Sequence, residues 1–278
     1  MITRRVTVNG VEITFAEAGA GGRPLLLVHG FGGSKEDFTD YLPRLGAIGW
    51  HAVAPDNRGH GDSEHLKNED DYSLSIVADD IAALMDELGW STATVLGHSM
   101  GGMVVQLFAL AHPERLDALI LMDTSHKIPD HVDPGMIAAG QAVVRDGGTE
   151  LLVEIGDRAT EPSPLDTLPY LEMIAADPAY KAWARQKTLN FAGPAWAALA
   201  GDMSGQPDRL DALRTVAVPT LVLVGELDDG FVAQSTAMAA AIPGAQLAVI
   251  PGAGHSPQFE ARDAWWAVMQ AFLAEVAG

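Results

Sequence analysis

The 278-residue sequence contains no cysteine. That absence excludes disulfides, thiolate metal sites and a cysteine nucleophile together, and it leaves the redox compartment open. Basic residues are scarce: 17 Lys and Arg stand against 37 Asp and Glu, a formal net charge of -20, which argues against nucleic acid or an anionic membrane as partner. No apolar run is long enough to cross a bilayer. Met1 to Gly10 carries Arg4 and Arg5 and then polar, strand-like residues, not the apolar stretch of about 7 to 15 residues that marks a signal peptide. A cytoplasmic protein is therefore the default expectation. Repeats and low-complexity segments are absent as well, and His60 and His65 have no metal-like spacing to each other or to a carboxylate set.

What the chain does contain is an alternation of strand-like and helix-like segments, in a length sufficient for one large α/β domain or a domain with an inserted module. Val6, Val8, Val11, Ile13 and Phe15 alternate with polar residues around Asn9-Gly10, the pattern of a tight hairpin. Pro24 introduces Leu25 to Val28, expected as a central strand buried on both faces, and the run ends in the glycine-rich turn His29-Gly30-Phe31-Gly32-Gly33-Ser34. A helix is expected from about Lys35 to Ile48, followed by the strand His51 to Pro55. The polar loop Asp56 to Ser63 reads as internally hydrogen-bonded, with Asp56 and Arg58 finding partners. Ile76 to Leu88 has helical periodicity. Ala93 to Leu96 and Leu116 to Met122 read as buried strands, with a helix over Met103 to Ala111 between them. Such alternation predicts a parallel sheet with right-handed crossovers.

From His126 to about Thr215 the alternation stops. Helix-like pieces are punctuated by Pro129, Pro134, Gly147-Gly148, Pro162, Pro164, Pro169, Pro178 and Pro194, as expected for a cap over the carboxyl ends of the strands. The expected division is a core of residues 1–125 and 216–278 and a cap of residues 126–215. Tyr170, Tyr180, Trp183, Phe191 and Trp196 either line a pocket under that cap or form its own core. The strand pattern resumes at Thr220 to Gly225. A helix to Ile242, the strand Leu247 to Ile250 and a final helix with Trp265, Met269 and Phe272 on one face follow.

The chemistry centres on Gly97-His98-Ser99-Met100-Gly101, a G-x-S-x-G between a strand and a helix. A serine there needs small neighbours, and the helix behind it aims free N–H groups at any oxyanion formed beside the hydroxyl. Serine is a poor nucleophile until a base takes its proton, and the base needs a carboxylate to set its tautomer. His255, after a strand and within Gly252-Ala253-Gly254, is the best base. Asp228 is the preferred acid, with Asp229 and Asp123 as alternatives, since all three follow strand ends. The backbone N–H groups of Met100 and Phe31 would form the oxyanion hole.

Taken together, His29 through Ser34, Asp56 through Ser63 (D-N-R-G-H-G-D-S), Gly97 through Gly102, Gly225-Glu226-Leu227-Asp228 and Gly252 through His255 resemble the α/β-hydrolase superfamily. The resemblance covers about two thirds of the chain. It implies an eight-stranded, mostly parallel sheet with helices on both faces, an inserted helical cap after the sixth strand, and no cofactor or metal. A serine at the elbow is unlike the haloalkane dehalogenases and epoxide hydrolases of that superfamily, which carry an aspartate. The leading expectation is a serine hydrolase of a small-molecule ester or lactone that works through an acyl-enzyme. The alternatives are a carbon–carbon bond hydrolase of a vinylogous diketone, peroxide-dependent acyl transfer, or a ligand receptor with vestigial turnover. The first two would require extra polar or cationic groups from the cap, for which Arg145, Arg158, Arg185 and Lys187 are available.

Overall fold

Asn9 and Gly10 both take positive φ, 49° and 78°, the geometry that matches the right-handed twist of paired strands. They close a hairpin of β1 (Ile2–Val8) and β2 (Val11–Ala18). To this hairpin are added β3 (Arg23–Val28), β4 (Trp50–Pro55), β5 (Ala93–His98), β6 (Leu116–Met122), β7 (Thr220–Gly225) and β8 (Gln246–Ile250). The computed structural model describes residues 1–128, 132–159 and 166–278. Its sheet has eight strands in the order β1-β2-β4-β3-β5-β6-β7-β8. The β1–β2 and β2–β4 pairs are antiparallel, and all others are parallel.

Helices α1 (Leu42–Ala47), α2 (Leu74–Glu87) and α3 (Met100–Ala111) precede β6. Between β6 and β7 lie α4 (Pro134–Arg158), α5 (Leu168–Ala176), α6 (Pro178–Leu189), α7 (Gly193–Gly205) and α8 (Leu210–Leu213). The chain closes with α9 (Asp229–Ala241), α10 (Pro257–Glu260) and α11 (Arg262–Ala277). Among the described residues no helix is long and apolar enough to cross a membrane.

The period of two along a strand explains why the central strands read as unbroken apolar runs. On β3, Leu26 and Val28 enter one core while Leu25 and Leu27 enter the other; on β6, Leu119 and Leu121 oppose Ala118, Ile120 and Met122. The first core is covered by α2, α3 and Met238 of α9, the second by Phe38, Tyr41, α1 and α11. Helices thus flank both faces of the sheet.

The expected helix over Lys35 to Ile48 is not continuous. A 3₁₀ turn at Lys35–Asp37 is separated from α1, which begins only at Leu42. Pro43 is the physical reason, because a proline within a helix removes a donor and clashes with the carbonyl four residues back, whereas in the first turn it costs nothing. The same rule places Pro134, Pro169, Pro178 and Pro194 in the first turns of α4, α5, α6 and α7. Pro129, Pro162 and Pro164 lie outside the described residues. Gly147 and Gly148 leave helical geometry and kink α4, with φ of 68° at Gly148.

The Asp56 to Ser63 loop is bonded both within itself and to its neighbours. Asp56 accepts the Lys35 N–H at 2.7 Å, the Lys35 ammonium at 2.8 Å and the Asp62 N–H at 2.9 Å. Arg58 forks onto Asp80 of α2 at 2.5 and 2.6 Å. The helical segment between β6 and β7 is tied to this region by the Ala192 N–H on the Gly59 carbonyl, 2.8 Å, and by Lys187 on Asp37, 2.7 Å.

Candidate active site

Ser99 joins β5 to α3 with φ 53° and ψ -119°, a backbone conformation rarely tolerated outside glycine and held here by its surroundings. Its N–H donates to the Met122 carbonyl at 2.9 Å, and its own carbonyl accepts the Thr124 hydroxyl at 2.7 Å. The flanking glycines are required for space. A Cβ on Gly97 would sit 2.3 Å from the Gly101 carbonyl oxygen, and one on Gly101 would sit 2.4 Å from that of Val28.

Two loops converge on the Ser99 hydroxyl. His255 follows β8, and its Nε2 lies 2.9 Å from Ser99 Oγ while its Nδ1 lies 2.8 Å from Asp228 Oδ2. Asp228 precedes α9, and its loop is joined to the His255 loop by the Glu226 N–H on Ile250 and the Leu227 N–H on Ala253, at 2.9 and 2.8 Å. Gly225 permits this approach, since a Cβ there would meet the Gly254 carbonyl oxygen at 2.0 Å. Burial pushes the imidazole down, but the charge and hydrogen bond of Asp228, aided by Glu260, outweigh it and leave the pKa raised above 6.5.

Of the three candidate acids, only Asp228 bonds the imidazole. Asp229 is exposed at the start of α9. Asp123 is fully buried with its Oδ1 on the Gly225 N–H at 2.8 Å. Gly30 lies against Ser99, so that a Cβ on it would be 3.0 Å from the serine Cβ. That packing holds the Phe31 backbone beside the serine, and among the described residues neither the Phe31 N–H nor the Met100 N–H donates to a protein acceptor.

The chain resembles known proteins along nearly its whole length. A family model described as alpha/beta hydrolase fold matches residues 23–262. The chain belongs to the α/β-hydrolase fold family. It is 30% identical to a thermophilic esterase from Thermogutta terrifontis, with a TM-score of 0.83 over 99% of both chains. The enol-lactonase from Burkholderia xenovorans LB400 superposes with a TM-score of 0.84 at 24% identity, over 98% of this chain and 100% of that one. A Bacillus subtilis (strain 168) protein provisionally named 2-succinyl-6-hydroxy-2,4-cyclohexadiene-1-carboxylate synthase is 26% identical over 289 residues, 99% of this chain and 100% of its own.

In this α/β-hydrolase a cavity of about 970 Å³ opens onto Ser99 and His255 between the sheet edge and the helices that follow β6. Its wall is mainly apolar, with Met103, Ile137, Leu168, Trp196, Met203 and Phe231 prominent. Of the aromatics expected to line a pocket or pack internally, Trp196 lines this cavity. Phe191 is buried and stacks on His60 at 3.9 Å, while Tyr180 and Trp183 pack on Phe259. The cations available for substrate contact are paired elsewhere: Arg145 with Glu69, Arg158 with Glu154, Arg185 with Asp157 and Lys187 with Asp37.

His98 was not distinguishable by sequence from a histidine occupied by its own turn. Its Nε2 in fact reaches the His255 carbonyl at 2.7 Å. Burial, reinforced by the neighbouring His255, lowers its pKa to about 4, so the ring is neutral at pH 7 and donates this bond through Nε2–H. No sequence spacing signals a contact across 157 positions. Among the described residues the one grouping close enough to hold a cation is Asp123, Asp228 and His255. Asp123 Oδ1, Asp228 Oδ2 and both ring nitrogens of His255 are engaged with Gly225, with each other and with Ser99, so a cation bound through the imidazole would have to displace one of those bonds.

Proposed function

We propose that this chain is a serine hydrolase of carboxylic esters or lactones, with Ser99 as nucleophile, His255 as general base and acid, and Asp228 as the carboxylate that sets the imidazole tautomer. The observation that carries the reading is the continuous relay from Ser99 Oγ through His255 to Asp228, at 2.9 and 2.8 Å. With Nδ1–H held by Asp228, Nε2 presents a lone pair to the serine proton. Ser99 Oγ attacks the substrate carbonyl as that proton passes to Nε2, and the negative charge on the carbonyl oxygen is received by the N–H groups of Phe31 and Met100. Each such donor is typically worth about 3 kcal/mol in the transition state. Collapse expels the alcohol, which takes the proton from Nε2. Water activated by the same nitrogen then releases the acid and regenerates Ser99.

The cavity supports a neutral, largely apolar substrate. Among its described lining residues there is no Lys or Arg, and the acidic side chains of Asp166 and Asp229 stand in the wall with Asp228. The carbon–carbon hydrolase alternative gains no support from the pairing of the helical-segment cations. The helices of residues 126–215 act in this reading as the cap that selects the substrate, and the reaction requires no group beyond these residues and water.

The test is active-site labelling with a fluorophosphonate together with turnover of p-nitrophenyl butyrate by wild type and Ser99→Ala. Labelling at Ser99 and steady multiple turnover abolished in the variant are expected. Failure of the folded protein to label, or an active Ser99→Ala, would exclude the mechanism, and a single turnover with tight binding would point to a receptor.

A further inference from the structure

Asp123 lies at the end of β6 with φ 45° and no solvent exposure, a left-handed conformation that aspartate tolerates better than most residues. Its N–H donates to the Leu223 carbonyl at 2.9 Å and its Oδ1 accepts the Gly225 N–H at 2.8 Å. Oδ2 is buried and receives no N–H or O–H donor. An oxygen of Asp123, an oxygen of Asp228 and a ring nitrogen of His255 all lie within 4.8 Å of one another. Two buried carboxyl groups with oxygens within 4.8 Å of each other cannot both ionise without a large penalty. Asp228 is the one that faces a basic group, so the negative charge belongs there.

We propose that Asp123 is a positioning residue for the catalytic set: a carboxylic acid that keeps its proton and donates it in a hydrogen bond to Asp228, holding that carboxylate between two donors and moderating its pull on His255. This rests on the reading of Ser99, His255 and Asp228 as the working residues. Burial first, and then the charge of Asp228, keep the Asp123 carboxyl well above the ordinary range. The other titratable groups facing this cluster are Glu260, whose Oε2 accepts the Gly254 N–H, and His98, which is neutral. A proton on Asp123 also gives Oδ2 the role that the carboxylate form denies it.

Asparagine can reproduce both bonds, accepting from Gly225 and donating to Asp228, whereas alanine can make neither. The experiment measures kcat/KM for a neutral p-nitrophenyl ester against pH, together with the NMR titration of the His255 ring, in wild type, Asp123→Asn and Asp123→Ala. Asp123→Asn is expected to keep kcat within about threefold and leave both titrations in place. Asp123→Ala is expected to move them upward by about half a pH unit or more, because an Asp228 relieved of one donor holds the imidazolium more strongly.

A fall of the His255 pKa in Asp123→Asn would show that Asp123 carries a charge in the native protein and would overturn the proposal. So would unmoved titrations in a folded Asp123→Ala, which would reduce Asp123 to a clamp between strand ends. If the alanine variant does not fold, the asparagine variant decides alone. Lack of fluorophosphonate labelling in the wild type would defeat the underlying mechanism, whereas the His255 titration still reports on Asp123.

Discussion

Replacing Gly30 with alanine adds one methyl group to the backbone beside the serine, and the structure allows its effect to be worked through. The new Cβ would lie 3.0 Å from Ser99 Cβ, 3.3 Å from the His98 carbonyl oxygen and 3.4 Å from His98 Nδ1. Carbon atoms prefer about 3.5 to 4.0 Å, so the overlap is about 0.5 to 1 Å. Ser99 cannot yield easily, because its N–H is bound to Met122 at 2.9 Å and its carbonyl to Thr124 at 2.7 Å. The glycine-rich loop is expected to move instead, carrying the Phe31 N–H away from the place where the proposed mechanism puts the oxyanion. Losing such a donor outright costs about 10²- to 10³-fold in kcat, so a partial displacement is expected to cost about 10- to 100-fold. Overpacking adds about 1 to 3 kcal/mol of destabilisation. The assay is kcat and KM on a p-nitrophenyl ester alongside urea unfolding, with the loss expected in kcat and KM little changed. A folded Gly30→Ala protein with kcat within about twofold of wild type would refute the placement of the oxyanion donor on this loop.

If the chain hydrolyses esters as proposed, the charge of the cavity wall is expected to favour dimethyl adipate over monomethyl adipate by at least about tenfold in kcat/KM, through like-charge repulsion. Asp229→Asn is expected to narrow that gap, and equal rates on the two esters would contradict the neutral-substrate reading. With His255 as the proposed base, its raised pKa sets the expected direction of the pH profile: protonated imidazole cannot accept the serine proton, so kcat/KM on a non-ionising ester is expected to fall as pH drops through a value above 6.5. A profile flat from pH 8 to pH 5 would exclude His255 as base. Asp228→Asn is expected to lower kcat about 10⁴-fold with the fold intact, and Asp229→Asn to change kcat far less, as measured by stopped assay and unfolding. Lys35→Met leaves Asp56, fully buried, without its cation. It is expected to cost about 3 to 5 kcal/mol in urea unfolding, and a loss below about 1 kcal/mol would show that Asp56 is protonated in the native protein.

Much of the fold was legible because it rests on short-range rules. The Asn9-Gly10 turn, the unbroken apolar runs of β3 and β6 and the prolines that open helices each depend on a few adjacent residues. The one clear departure, the interrupted helix after Ser34, arose where apolar spacing suggested continuity and Pro43 forbade it. Part of the candidate site was legible for the same reason. Gly97 and Gly101 are spaced for a turn that leaves no room for a Cβ, and histidine and aspartate after strand ends come to one edge of a parallel sheet. Backbone N–H groups such as those of Phe31 and Met100 carry no side-chain signature, so their assignment as oxyanion donors rests on the position of their loops alone.

By itself, the sequence determined the parallel α/β architecture, the turn that presents Ser99 and the short list of groups able to act on it, since these follow from periodicity, turn chemistry and strand-end position. Only the tertiary structure decided which carboxylate meets His255. Asp123, Asp228 and Asp229 all follow strands, yet only Asp228 comes to 2.8 Å from Nδ1. It also decided that His98 holds the His255 carbonyl, that Trp196 lines the cavity while Phe191 is packed away, and that Arg145 and Lys187 pair with Glu69 and Asp37. Each of these depends on residues brought together from distant parts of the chain, where distance and burial, not spacing, set the energy of the contact.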